Sequence, residues 1–490
     1  MIDTLLLFTI ADFKTLMTIA YIVFMVLMLI FVVQEKRDPV KALSWIVVLA
    51  LLPIVGFILY VVFGRNHRKE KIFNRKELRD LEQLDELSRQ QLYQIGNPAL
   101  LLKNEINDNR DIITLLLNNS KAPLTLHNRI QVLNNGEATF VEIKKALREA
   151  RSSIHLEYYI IEDDPLGREI ADILIAKANE GVEVRLIYDD VGSWGLSRHY
   201  IGRLRKAGIQ VYPFMKVVFP WLTSKVNYRN HRKILVVDGT VAFTGGINIA
   251  QRYLTGTKKM GPWRDTHLKL EGDAANILQT IFMTDWFFVS KQRLEDHRKY
   301  LPRTRLREEH LVQIAASGPD SDWASIMQAF FSAITHAQHH IYISSPYFMP
   351  NEAILTAVKV AALSGIDVRV MIPSRSDSKI VYWASRSYIG ELIDAQVKVY
   401  LYRKGFNHSK LIMIDGQFCS VGTANMDIRS FEDNFEVSAM IYDKEVTREL
   451  EQAFLEDLGR CRLVTREYWE TRPVLHSIYE AISRLFSPLL

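Results

Sequence analysis

One stretch of this chain is written twice, and that repetition limits the fold more than any other feature. The first copy reads Asn230-His231-Arg232-Lys233, the apolar run Ile234-Leu235-Val236-Val237, Asp238-Gly239, and later Gly245-Gly246-Ile247-Asn248. The second reads Asn407-His408-Ser409-Lys410, Leu411-Ile412-Met413-Ile414, Asp415-Gly416, and later Gly422-Thr423-Ala424-Asn425, with the same spacing. The surroundings repeat as well: a helix, Glu180-Gly181 and the strand Val182-Glu183-Val184-Arg185 return as a helix, Ser364-Gly365 and Ile366-Asp367-Val368-Arg369. A strand at residues 154–161, a helix at 166–179 and a strand at 182–188 show the alternation of an α/β layered unit. The period is too long for a solenoid, so each copy is a domain. With 490 residues, more than one core usually serves, the expected fold is two tandem α/β/α sandwich domains at residues 121–305 and 306–462.

Within each copy an apolar strand meets Asp-Gly, a strong two-residue hairpin signal, and a second strand follows. Pairing Val237 with Thr240 sets Lys233 opposite Thr244 and His231 opposite Gly246, and alternation then puts His231, Lys233, Gly246 and Asn248 on one face. The same arithmetic sets His408 opposite Thr423, with Lys410 and Asn425 on its face. One imidazole, one ammonium and one amide converge in each half, a set suited to a phosphodiester. The lysines and asparagines, with Gly246 and Thr423 beside them, are the expected substrate-binding positions for charge growing on non-bridging oxygens. One histidine attacks phosphorus as neutral imidazole and the other, protonated, donates to the leaving alcohol. No metal or other cofactor is needed to neutralise the phosphate. Asp238 and Asp415 complete the motif and count among its catalytic members, but they sit in the turn, off that face, which predicts scaffolding. His336, His339 and His340 have a helical spacing that a metal can use, yet the aligned first-half positions are Glu149, Ser152 and Ser153, so a solvated helix end is expected.

The N-terminus is unlike a soluble domain. Residues 15–33 and 42–63 are almost wholly apolar, separated by Glu35, Lys36, Arg37, Asp38 and Pro39, and each run is long enough to cross about 30 Å of hydrocarbon as a helix. Segment 1–64 is therefore expected to be a transmembrane hairpin and not a cleaved signal peptide. The basic cluster Arg65, Arg68, Lys69, Lys71, Arg75, Lys76 and Arg79 outweighs Lys36, Arg37 and Lys41 of the turn, which sets both chain ends in the cytoplasm. Residues 65–120, mixed charged and leucine-containing, read as a helical connector. The net charge of +5 is too small to signal nucleic acid. Cys419 and Cys461 lack metal spacing and suit a reducing compartment. Val217, Val218, Phe219, Pro220 and Trp221 fit a lip that dips into lipid and fit core packing equally well. In segment 463–490, Leu475, Ile478, Ile482, Leu485 and Phe486 form one stripe of an amphipathic helix.

The duplicated residues resemble the phospholipase D superfamily, whose HxK(x)4D motif occurs twice, each followed by Gly-Gly/Ser-x-Asn. Thr423 stands where serine is commoner and keeps the hydroxyl. The resemblance implies that Asp265, in Trp263-Arg264-Asp265, and Glu436, in Asn434-Phe435-Glu436, orient the histidines. It also implies a first-half nucleophile and a phosphohistidine intermediate, although the motifs themselves assign neither histidine its role. Ala42-Leu43-Ser44-Trp45, Pro53, Gly56, Tyr60, Phe63-Gly64-Arg65-Asn66, Asn227-Tyr228-Arg229, Pro346-Tyr347-Phe348 and Ser487-Pro488-Leu489-Leu490 are similar to bacterial cardiolipin synthases. That resemblance implies transfer of a phosphatidyl group between two phosphatidylglycerol molecules, giving cardiolipin and glycerol, at the bacterial inner membrane with the catalytic domains cytoplasmic. A membrane phospholipase D using water and a non-catalytic lipid-binding scaffold stay open as alternatives. A nuclease fits less well, because neither half carries a basic and aromatic track for a strand. The sequence gives no signal for oligomeric state.

Overall fold

A computed structural model describes residues 79–95, 104–217, 228–302 and 306–487, with scattered positions between 15 and 60. The chain divides into two compact units, one of Met1–Lys71 with Val217–Asn227 and one of Ile72–Lys216 with Tyr228–Leu490. Among the described residues no helix is long and apolar enough to cross a membrane. The expected hairpin at residues 1–64 lies largely outside the described residues, as do Val218, Phe219, Pro220 and Trp221 of the expected lip.

Two matching sheets make up the larger unit. The first uses β1 (Asn128–Asn134), β2 (Ser153–Tyr158), β3 (Glu183–Asp189), β4 (Gln210–Phe214), β5 (Lys233–Val237), β6 (Val241–Gly245) and β7 (Thr266–Gly272), in the order β1-β7-β6-β5-β2-β3-β4. The second uses β8 (Val312–Ser317), β9 (His340–Ser344), β10 (Asp367–Pro373), β11 (Lys398–Tyr402), β12 (Leu411–Ile414), β13 (Phe418–Gly422) and β14 (Asn434–Ile441), in the matching order β8-β14-β13-β12-β9-β10-β11. Leu124–Thr125 extends the second sheet beyond β8, and Cys461–Leu463 extends it beyond β11. Parallel neighbours need crossovers, and helices supply them. In the first half α1 (Asn135–Glu149) links β1 to β2, which are not neighbours, and the crossovers are α2 (Pro165–Asn179) from β2 to β3 and α3 (Arg198–Lys206) from β3 to β4. Asp164 starts α2 by accepting from the Gly167 N–H, with Pro165 in the first turn, and Leu166, Ile170 and Leu174 recur at helical spacing on its buried face.

Helices α4 (Asp273–Ser290), α5 (Ser325–His336), α6 (Glu352–Leu363), α7 (Lys379–Arg386), α8 (Lys444–Leu458) and α9 (Val474–Arg484) complete the set used below. α1 and α2 cover the outer face of the first sheet, and α5 and α6 that of the second. α4 and α8 lie between the sheets, where Ile234, Val236, Leu268 and Leu270 share one core with Val312, Met413, Val437 and Ala439. The two expected sandwiches thus share their middle layer. The connector is not separate from this body: Arg110–Asn119 contributes Ile112, Ile113, Leu116 and Leu117 to the outer core of the second sheet.

Both hairpins depart from the expected register by one residue. Val237 pairs with Val241 rather than Thr240, and Ile414 with Phe418. Asp238 and Gly239, at φ +51° and +67°, form the expected tight turn, closed by the Thr240 N–H donating to the Val237 carbonyl at 3.1 Å. Thr240 is then an extra residue before the ladder resumes, a bulge that shifts every later pair. β6 ends at Gly245, whose φ of +147° and tight approach to His267 leave no room for a Cβ. From there strand alternation no longer sets which way side chains point.

Candidate active site

Short strands that leave one half and pair with the other build the site. Arg229–Asn230, just before β5, pairs in parallel with Asn434 and Phe435 at the start of β14. Phe406–Asn407, just before β12, pairs in the same sense with Trp263–Arg264 of the first half. The His231 N–H donates to the Phe435 carbonyl at 2.9 Å, and the His408 N–H to the Arg264 carbonyl at 2.7 Å. Each histidine therefore lands beside the carboxylate that follows its partner strand. His231 Nδ1 lies 2.9 and 3.0 Å from the Glu436 oxygens, and His408 Nδ1 lies 2.7 Å from Asp265 Oδ2. The wiring is crossed: each half's histidine is held by the other half's acid.

Burial sets the protonation of this cluster. It pushes His231 down to about 4 against the pull of Glu436, and His408 well below its ordinary value, with Lys410 and Lys233 adding to the effect. A neutral imidazole whose Nδ1–H donates to a carboxylate leaves the Nε2 lone pair for chemistry. Burial works to raise Glu436, yet His231, Lys233 and the Thr423 hydroxyl hold it below the usual range. Asp265 is pushed up to about 6 by burial despite Lys410. Burial also lowers Lys233 to about 7 and Lys410 to about 8. Lys233 Nζ donates to the His231 carbonyl at 2.7 Å. Lys410 Nζ donates to the His408 carbonyl and stands 2.9 and 3.2 Å from the ring nitrogens.

Several expected positions have other duties. The Asp238 carboxylate does not reach a histidine; it accepts the backbone N–H groups of Arg151, Ser152 and Ser153 at 2.7–2.9 Å. Asp415 does the same for Gln338, His339 and His340. Gly246 is not open to a ligand, since a Cβ there would fall 2.0 Å from Asp265 Oδ1. Thr423, its counterpart, donates its hydroxyl to Glu436. These two positions support carboxylates. Asn248 accepts from the Ile160 N–H at 3.0 Å and donates to the Tyr253 hydroxyl at 2.6 Å, which ties it to the ring beside His408. Asn425 is buried and its Oδ1 has no hydrogen-bond partner among the described residues. His336 and His340 diverge, pairing with Asp111 and Glu451.

Other residues at the site were not singled out from the sequence. The Tyr159 ring meets His231 edge-on at 4.7 Å with Lys233 Nζ 5.3 Å from its centroid, while Tyr253, Trp263 and Phe406 surround His408 at 5.4–5.8 Å. Below them Arg232 pairs with Asp285 on α4, and Arg264 with Asp457 on α8. These guanidinium groups support equivalent strand pairs from unequal places, one beside a histidine and one beside an acid. The asparagine that precedes both histidines was a usable signal: Asn230 and Asn407 each turn a side-chain oxygen back to the N–H two residues on.

The family profile described as "Cardiolipin synthase, PLD-like domain" matches residues 143–286 and 330–458, and "Phospholipase_D-nuclease N-terminal" matches 19–65. "Cardiolipin synthase" of Geobacillus sp. (strain WCH70) is 45% identical over 93% of this chain and 90% of its own. The chain belongs to the bacterial cardiolipin synthase family. "Major cardiolipin synthase ClsA" of Bacillus subtilis (strain 168), another member, is 39% identical over 97% of this chain and 99% of its own. Outside the family, the phosphatidylserine synthase of Haemophilus influenzae Rd KW20 shares the fold at a TM-score of 0.58 and 12% identity, covering 79% of this chain and all of that one. Membership makes this chain a phosphatidyltransferase of the phospholipase D superfamily.

Proposed function

We propose that the chain joins two phosphatidylglycerol molecules into cardiolipin, releasing glycerol, through a phosphohistidine on His231. The crossed site carries this reading: two neutral imidazoles, each with Nδ1 on a carboxylate, between two buried lysines. His231 Nε2 attacks phosphorus, the bond to the glycerol oxygen breaks, and His408, protonated once the anionic phosphate is bound, gives that oxygen its proton. His408 then takes the proton of the incoming lipid hydroxyl, whose oxygen attacks phosphorus as the P–N bond breaks. Glu436, held ionised, supports His231 as nucleophile, because the anion stabilises the cationic adduct. Lys233 and Lys410 meet the non-bridging oxygens, and Asn425 offers a further buried polar group. Tyr159, Tyr253, Trp263 and Phe406 line the histidines and exclude water, which favours transfer over hydrolysis. Residues 1–64 act as a membrane hairpin, which the match at 19–65 and the exposure of Leu16 and Leu27 at 63% and 60% support, and the basic cluster from Arg65 to Arg79 favours a cytoplasmic catalytic body.

The test uses vesicles of radiolabelled phosphatidylglycerol with a chelator present. Wild type is expected to yield cardiolipin and glycerol, and His408→Ala to keep a denaturation-stable lipid label that His231→Ala lacks. Phosphatidic acid as the sole product would move the reading to hydrolysis, and label on His231→Ala alone would exchange the two histidine roles.

A further inference from the structure

The C-terminal helix α9 is built inside out. Its acidic residue Glu480 is 3% exposed, accepting from Arg472 Nε at 3.1 Å and ion-paired with Arg386, whose Nε lies at 3.5 Å. Val474, Leu475, Ile478, Tyr479, Ile482 and Leu485 instead stand 78%, 53%, 48%, 42%, 52% and 79% exposed. A helix on a soluble surface turns the other way, and an apolar stripe of this extent marks an interaction face. Rotating α9 to hide the stripe would strand a buried carboxylate and two guanidinium groups, so the ion pairs lock the apolar side outward.

What the stripe lies beside indicates its occupant. α9 packs on α7, where the Trp383 ring meets His476 at 4.8 Å and Tyr479 at 5.4 Å. α7 begins two residues after Asp377, whose carboxylate accepts the Tyr347 hydroxyl at 2.9 and 3.0 Å. Asp377 is close enough to the site for its charge to act on His408 and Lys410. Arg375, in the same loop, donates to the Lys259 carbonyl at 3.4 Å, and Lys258, Lys259, Arg375 and Lys379 are all exposed. The apolar stripe and the exposed basic residues thus lie on elements joined through α7 and close to the catalytic cluster, an apolar-plus-basic pattern that binds an anionic bilayer surface.

We propose that α9 lies in the membrane interface with Leu475, Ile478 and Ile482 among the acyl chains, setting the mouth of the active site against the anionic headgroups it consumes. This rests on the lipid-transfer reading above. The test takes the full chain with Cys461→Ser and Ile478→Cys, Cys419 being buried, carrying a nitroxide, in vesicles of phosphatidylglycerol and phosphatidylcholine. Oxygen is expected to relax the label more than a nickel chelate does, and a label at Glu467→Cys is expected to show the reverse. Leu475→Asn with Ile482→Asn is expected to lower cardiolipin formation in these vesicles roughly tenfold, and Leu475→Met with Ile482→Leu to retain it. A label at 478 as open to the chelate as one at 467 would overturn the proposal. So would strong dipolar coupling between labels on two chains whether or not lipid is present, which would assign the stripe to a second copy. A lipid-buried label in a protein that makes no cardiolipin would remove the reaction reading and leave the docking intact.

Discussion

Glu436 and Asp265 occupy equivalent places, yet one is held ionised and the other pushed up to about 6. Glu436→Gln removes the anion from His231 with little change of shape and is expected to lower kcat by roughly 10²- to 10⁴-fold, measured as labelled cardiolipin formed per folded molecule. The same groups set a narrow pH profile. As pH falls through about 6, Asp265 takes a proton and His408 loses its anionic partner. As pH rises through about 7 and then 8, Lys233 and Lys410 lose the charges that meet the phosphate. Initial rates should trace kcat/KM as a bell with limbs in those windows, and a plateau extending to pH 9 would contradict these assignments. The two acids were legible from resemblance, because Trp263-Arg264-Asp265 and Asn434-Phe435-Glu436 sit at family positions. Which histidine each one serves was not, since partners 205 and 143 residues apart leave no local signal.

Both Asp-Gly turns anchor the sheets from outside the chemistry, each carboxylate taking three backbone N–H groups at the start of a neighbouring strand. Asp238→Ala should cost about 1–3 kcal/mol of stability, because it leaves three backbone N–H groups without their acceptor, one of them exposed and two part-buried. It is expected to shorten the half-life of thermal inactivation while leaving the specific activity of surviving enzyme within about threefold. A large activity loss at unchanged half-life would mean the turn reaches the reaction after all. Arg232→Met, which leaves Asp285 without its buried guanidinium partner, is expected to destabilise by about 3–5 kcal/mol, read as a lowered denaturant midpoint. At this scale Asp238-Gly239 announced the hairpin correctly, and alternation failed afterwards. The bulge at Thr240 and the break at Gly245 are set by packing on β7, which strand periodicity does not encode.

The sheets face each other across a core to which both contribute, and Leu124–Thr125 crosses from the start of one half into the sheet of the other. Residues 104–305 expressed alone are therefore expected to aggregate, and co-expression with 306–490 to return a soluble pair, the first fragment carrying the Arg110–Asn119 helix that the second sheet's core needs. A soluble, monomeric first half would show the shared core to be dispensable. Duplication was plain in the sequence because spacing repeats; the shared middle layer was not, because α4 and α8 read like any other buried helix. The crossed wiring also bears on how the chain is made. His231 leaves the ribosome 205 residues ahead of Glu436, about 10 to 40 s at ordinary synthesis rates. Throughout that interval the nascent chain carries an imidazole with no acid to aim it, so the site cannot act on a phosphodiester until the second half is made.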